Sequence, residues 1–134
     1  MRIIPIVLDT HYPILGYWWS QLHLPLIPKK YLPPTGRIVI DGEKYICAAF
    51  LYLSDGGVAS IGHVVADPEC RGEKRSEALD LVIEEMIYLT KQAGYDMVSA
   101  GVNANLIRMN ARYRKFGFTQ TDENINMLGR ILCP

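Results

Sequence analysis

One stretch, Val58 to Gly94, restricts the fold of this chain more than any other, because it reads without interruption as a strand, a charged turn and a long helix. Ile61, Val64 and Val65 sit among small residues in a run that stops at Asp67-Pro68, a pair that favours a turn and removes a ladder donor. The helix is expected over Glu73–Ala93. There Leu79, Val82, Ile83, Met86, Leu89 and Ala93 recur at three- and four-residue spacing, with Glu77, Asp80, Glu84 and Lys91 on the opposite side. Gly94 suits the C-terminus, and Glu73 sits at the end where an acid is favoured. Between strand and helix, the turn Glu69–Ser76 sends backbone N–H groups and the side chains of Arg71, Lys74 and Arg75 toward a helix N-terminus, where phosphate groups bind.

The flanking segments build a sheet around this unit. Asp96–Val102 reads as a strand, and its connection to the Val58 strand through a helix is a crossover that makes the two parallel. Upstream, Arg37–Ile40, Lys44–Leu53 and Val58–Ala66 are joined by Asp41-Gly42 and Asp55-Gly56-Gly57, hairpin signals that predict an antiparallel meander. The unbroken apolar run from Cys47 to Leu51 suits a central strand covered on both faces, with Cys47 as inert core. Ile3–Leu8 reads as a first strand, and Asp9 and Thr10 offer N-cap chemistry to a helix over Tyr12–Leu22. Trp18 and Trp19 cannot share a helix face, so one is expected inward and the other near a surface or groove. Four prolines between Pro25 and Pro34 break regular structure there. A short helix over Leu106–Phe116, with Leu106, Met109, Tyr113 and Phe116 on one stripe, ends at Gly117. The tail alternates Ile125, Met127, Gly129 and Ile131, which predicts a last strand antiparallel to one starting at Phe118. The expected architecture is α/β (α+β), a mixed and mostly antiparallel sheet of six or seven strands with helices on both faces, in one domain spanning 1–134.

Composition narrows the function classes. Fourteen basic and fourteen acidic side chains cancel, so nothing global recommends a nucleic acid or an anionic membrane as partner. Arg108, Arg112, Arg114 and Lys115 offer a local nucleic-acid contact, ranked last because they spread around their helix. Three cysteines, Cys47, Cys70 and Cys133, lack metal-ligand spacing and point to reduced thiols in the cytoplasm. The opening MRIIPIVLDT lacks the long apolar run of a signal peptide or span, which gives the same expectation. His11 and His23 read as surface or packing residues. His63 alternates onto one strand face with Ile61 and Val65 and is a candidate general base; Asp55 and Glu43 follow as candidates in hairpin turns.

The turn and the later helix together resemble one family. DPECRGEKRSEAL looks like the acetyl-CoA motif of the GCN5-related N-acetyltransferases (GNAT), an Arg-Gly-x-Gly-x-Gly/Ala turn after a strand. Arg71 and Gly72 match, while Lys74 and Ser76 stand at the second and third glycine positions. NANLIRMNARYRKFGF is similar to the family's closing segment through Asn105, Tyr113, Lys115, Gly117 and Phe118, and the EKRSEALD wording looks most like a divergent, phage-encoded branch. The resemblance implies an acyl-CoA-dependent N-acetyltransferase, with acetyl-CoA lying where the two parallel strands splay. Backbone groups of Val64, Val65 and Ala66 would pair with the pantetheine arm. Arg71 and the Gly72, Glu73, Lys74, Arg75 and Ser76 turn would hold the phosphates, with Asn105 also at the cofactor. Tyr113 would be the acid for the departing thiolate. A lysine at a glycine position adds charge and blocks close approach, so the implied pyrophosphate contacts are shifted or weaker. The acceptor is an amine on a small molecule or a protein, and a homodimer stays open. A competing reading keeps the fold without the chemistry, as a noncatalytic binding protein whose turn has lost its glycines.

Overall fold

The computed structural model describes residues 1–122 and 125–132. In chain order the elements are β1 (Arg2–Pro5), α1 (Leu8–Gln21), a 3-10 turn at Lys29–Tyr31, β2 (Gly36–Asp41), β3 (Lys44–Leu53), β4 (Val58–Ala66), α2 (Glu73–Gln92), β5 (Met97–Ala100) and α3 (Ile107–Lys115). The sheet runs β1-β2-β3-β4-β5, so every strand neighbours its predecessor. The first three pairings are antiparallel, and β4–β5, linked through α2, is parallel as the crossover requires. β3 and β4 have the bounds expected from their hairpin signals.

Among the described residues the sheet has five strands, not six or seven. Residues 118–122 and 125–132 carry no strand. Ile125, Met127 and Ile131 are 63%, 89% and 66% exposed, so the alternation of the tail meets no apolar surface and gains little from forming a ladder. Cys133 lies outside the described residues.

Helices cover both faces. Val39, Ala49, Leu51 and Ile61 pack with Val82, Ile83 and Met86 of α2 and with Tyr113 of α3. On the opposite face Ile38, Ala48, Phe50 and Val65 pack with Leu15, Trp18 and Trp19 of α1. Both tryptophans are buried, at 3% and 2% exposure, against the expectation that one would lie near a surface. The proline-rich loop supplies the missing cover: Leu32 joins the cluster, Leu26 lies against Gly16, and Tyr12 Oη donates to the Ile27 carbonyl at 2.6 Å. The start of α1 also differs. The helix begins at Leu8 with Val7 as its N-cap, and Asp9 and Thr10 fall in its first turn. The Val7 N–H donates to Nδ1 of His11 (2.9 Å), and that ring is buried edge-on to Tyr45.

Candidate functional site

The β3–β4 ladder pairs Ala48 with Val65 and Phe50 with Gly62, so His63 and Val64 together oppose Ala49. This is a β-bulge, and His63 occupies it at φ 55, the left-handed region that favours glycine. The bulge reverses the phase of β4. Ala59 and Ile61 face α2 before it, Val64 and Ala66 face α2 after it, and Val65 faces α1. Ile61, His63 and Val65 therefore do not share a face, because simple alternation fails when one residue is inserted. The parallel ladder runs from Val58↔Met97 to Ile61↔Ala100 and ends there. Past Ile61, the β5 side of β4 has no strand partner among the described residues. Val65 and Ala66 lie there at 4% exposure each, so the backbone groups on that side need a partner from elsewhere.

Downstream, Asp67 shapes the turn. Its carbonyl accepts from the Cys70 N–H at 3.0 Å and its Oδ1 from the Glu69 N–H at 2.9 Å. Gly72 is the N-cap of α2 at φ 75 and ψ −146, a conformation close to glycine-only, and no side chain caps the helix. The Ser76 N–H already donates to the Gly72 carbonyl (3.1 Å), which leaves the amides of Glu73, Lys74 and Arg75 as the open donors of the first turn. Lys74 turns away from the helix start to Asp41 at 2.8 Å, and this bond holds the Asp41 carboxyl below its ordinary range. Ser76 is engaged from α3: Arg112 Nη1 donates to its carbonyl and its hydroxyl, both at 3.1 Å, and to Asp80 at 2.6 Å. Lys115 joins the same carboxylate at 2.6 Å. Burial pushes the Asp80 carboxyl up, but the two cations outweigh it and hold it below the usual value. Arg112 and Lys115 thus pin α3 to α2. Arg71 is exposed, and among the described residues neither it nor Arg75 forms an ion pair.

Tyr113 lies on α3 at 5% exposure, its ring edge-on to Phe118 with centroids 5.0 Å apart. Burial pushes its phenol up to about 12. An ordinary thiol sits near 8.5, so complete proton transfer from this phenol to a thiolate would be uphill by roughly 5 kcal/mol, and its hydroxyl is better suited to donating a hydrogen bond than to full ionisation. His63 lies on the other face. Its Nε2 is 2.6 Å from Tyr52 Oη, its ring is edge-on to Phe50 and Tyr52, and burial lowers its pKa. The end of the parallel ladder stands between these two residues. Asn105 is exposed on the β5–α3 loop; its N–H donates to Asn103 Oδ1 at 2.9 Å, and its side chain has no partner among the described residues. Glu43 and Asp55 are exposed in their turns. Among the described residues no three His, Cys, Asp or Glu groups gather as a metal site, and no helix is long and apolar enough to cross a membrane.

No known family profile and no curated protein sequence matches the chain. Solved structures do. The ribosomal-protein-S18-alanine N-acetyltransferase of Escherichia coli superposes with a TM-score of 0.75 at 16% identity, covering 90% of this chain and 79% of that one. The fold is that of the GCN5-related N-acetyltransferases. A Mycobacterium tuberculosis protein solved in complex with CoA gives 0.72 at 10% identity, over 95% of this chain and 76% of that one. A transcriptional regulator from Bacillus halodurans C-125 gives 0.70 at 12% identity, over 96% and 99%. At such identities the likeness carries the fold, and one fold hosts several functions.

Within this GNAT-like fold, two residues that sequence reasoning passed over, Tyr52 and Asn110, and one that it read only as a nucleic-acid contact, Arg112, shape the neighbourhood. Tyr52 bonds His63, Arg112 occupies Ser76, and Asn110 clips the β5–α3 loop through Nδ2 to the Asn103 and Leu106 carbonyls at 3.0 and 2.8 Å. Their contacts span 11, 36 and 7 positions, and only the last is near enough for a local pattern to carry it. Two open clefts, of about 620 Å³ beside Lys30, Tyr31 and Gly129–Leu132 and about 390 Å³ beside Ile6–Asp9 and Leu32–Pro34, lie away from the α2 turn. Neither cleft is lined by residues of the broken ladder or of the first turn of α2.

Proposed function

We propose that the protein is an acyl-CoA-dependent N-acyltransferase that moves an acetyl group from acetyl-CoA to an amine. The observation that carries the reading is the end of the β4–β5 ladder at Ile61↔Ala100, which leaves a strand edge, half-buried at Gly62–Val64 and buried at Val65 and Ala66, leading to an uncapped helix N-terminus. An extended amide-bearing arm satisfies such an edge, and phosphates satisfy the free amides of Glu73, Lys74 and Arg75, with Arg71 available beside them. The CoA-bound neighbour of the same fold supports a CoA-linked donor.

In this reading the amine approaches from the α1 face, where neutral His63 takes its proton as the nitrogen attacks the thioester carbonyl. The C–S bond then breaks, and Tyr113, on the α2 and α3 face, donates to the departing thiolate. Ser76 contributes less to phosphate binding than the resemblance implies, since its amide and hydroxyl already have partners. Those occupied groups, with Lys74 drawn to Asp41, favour the second reading, a noncatalytic protein of the same fold.

Titration with acetyl-CoA separates the two. Ligand at about a hundredfold over its Kd should stabilise the fold by roughly 2.7 kcal/mol, raise Tm by several degrees, and do so less in Arg71→Ala. No shift with any acyl-CoA leaves the noncatalytic reading in front. With an amine that is turned over, Tyr113→Phe should release thiol on the order of a hundredfold more slowly while its melt barely moves. Equal turnover would remove Tyr113 from the reaction.

A further inference from the structure

His63 does not stand alone. The bulge turns its ring back over β3, where Nε2 comes within 2.6 Å of Tyr52 Oη with the ring centroids 5.5 Å apart. The same hydroxyl is 2.9 Å from the carbonyl oxygen of Tyr31, at the end of the 3-10 turn. A carbonyl only accepts, and a phenol has one proton to give. Tyr52 therefore donates to Tyr31, and the remaining contact is made by Nε2–H donating to Tyr52 Oη. That arrangement selects one tautomer of the imidazole and leaves the lone pair on Nδ1. The neighbouring glycine has a part in it. A Cβ on Gly62 would lie 2.9 Å from the Tyr52 ring, so the absence of a side chain there lets the ring sit across β4 at the position from which its hydroxyl reaches His63.

We propose that Tyr52 is a positioning residue that fixes His63 as its Nε2–H tautomer, making Nδ1 the atom that receives the amine proton. The proposal rests on the acyltransferase reading for its use of that proton, though not for the tautomer. When Nδ1 takes a proton, Nε2–H keeps its bond to Tyr52 Oη, so the imidazolium forms without any change in the chain from His63 through Tyr52 to the Tyr31 carbonyl. No carboxylate belongs to that chain, which distinguishes it from a base oriented by an acid.

The test reads the tautomer directly, by ¹⁵N chemical shifts of the His63 ring in protein labelled at histidine, above the pH where the ring protonates. The wild type should show a pyridine-type Nδ1 and a pyrrole-type Nε2. Tyr52→Phe should shift the ring toward a mixture of tautomers and, where turnover is measurable, lower kcat about tenfold with KM for acetyl-CoA unchanged. A wild-type ring protonated on Nδ1, or a Tyr52→Phe ring with its tautomer intact, overturns the proposal. The wild-type spectrum needs no variant to fold and no turnover, so a wild type that binds no acyl-CoA but gives the expected spectrum would overturn the acyltransferase reading and leave the tautomer assignment standing.

Discussion

Against α2 the sheet presents Val39, Ala49, Leu51 and Ile61, aliphatic groups met by Val82, Ile83 and Met86; against α1 it presents Ile38, Ala48 and Phe50, met by Trp18, Trp19 and Leu15. The polar groups differ as well. On the α2 side the buried Thr90 hydroxyl donates to the Met86 carbonyl within its own helix, and burial pushes both the Cys47 thiol and the Tyr113 phenol up to about 12. On the α1 side His11 and His63 are both held toward the neutral form by burial, and Tyr12 and Tyr52 donate to loop carbonyls. One strand supplies both faces, since β3 residues alternate between them. Polar contacts on the α2 side are ion pairs at its margins, Arg112 and Lys115 on Asp80 and Arg37 on Glu85, whereas the α1 side carries two half-buried or buried histidines within its packing, so the two should respond differently to cavities and to pH.

The largest effects should come from cavities. Phe50→Ala, on the α1 face, should cost about 3–5 kcal/mol, and Ile83→Ala, on the α2 face, about 2–5 kcal/mol, because both side chains are fully buried. Urea midpoints at constant m-value check this, and a Phe50 variant within about 1 kcal/mol of the wild type would mean the aromatic face is not part of the cooperative core.

Next comes the backbone beside the site. Gly72→Ala places a side chain at φ 75 where nothing lies within 4 Å, so any cost, of order 1–3 kcal/mol, is conformational and not steric crowding. A melt unchanged by the substitution would show that the turn relaxes freely, and the packed α2 face would then stop short of its own N-terminus.

The two faces should separate most clearly with pH. His11 and His63 have folded pKa values below their ordinary ones, so the unfolded chain binds their protons more readily. Their contribution is complete above about pH 6.5 and is lost as pH falls from there through the depressed folded values. His11→Gln with His63→Gln should flatten the decline in Tm between about pH 6.5 and 5. Ile83→Val, on the face without a histidine, should lower the whole curve and leave its slope alone. A double variant that keeps the wild-type slope would place the acid sensitivity elsewhere.

The smallest effect is expected at Lys74→Ala. Its bond to Asp41 is exposed, and such pairs contribute little, so Tm should stay within about a degree. A larger fall would mean that the β2–β3 hairpin depends on this contact for its place beside α2.

Several elements were legible because their signals are local. The hairpin glycines and alternating apolar runs give β3 and β4 their bounds, and helical spacing from Leu79 to Leu89 gives α2 its buried face. The helical crossover between them requires β4 and β5 to be parallel, as they are. Other features had no local signal. Nothing in VASIGHVVA marks His63 as the bulged residue, since Gly62 beside it is the more natural candidate, and its φ is decided by pairing with β3. Two adjacent tryptophans became core because a loop folded back over the helix. The tail kept its alternation without finding a surface to bury it.

The sequence by itself determined the order of elements, the direction of the crossover and the glycine at the start of α2, because periodicity, turn chemistry and backbone freedom act within a few residues of one another. Tertiary structure decided which face His63 occupies, where the parallel ladder ends, and which partners claim Lys74, Ser76 and Tyr52. Those outcomes depend on groups between 11 and 39 positions apart meeting in space, and geometry at that range is fixed only once the sheet has packed against its helices.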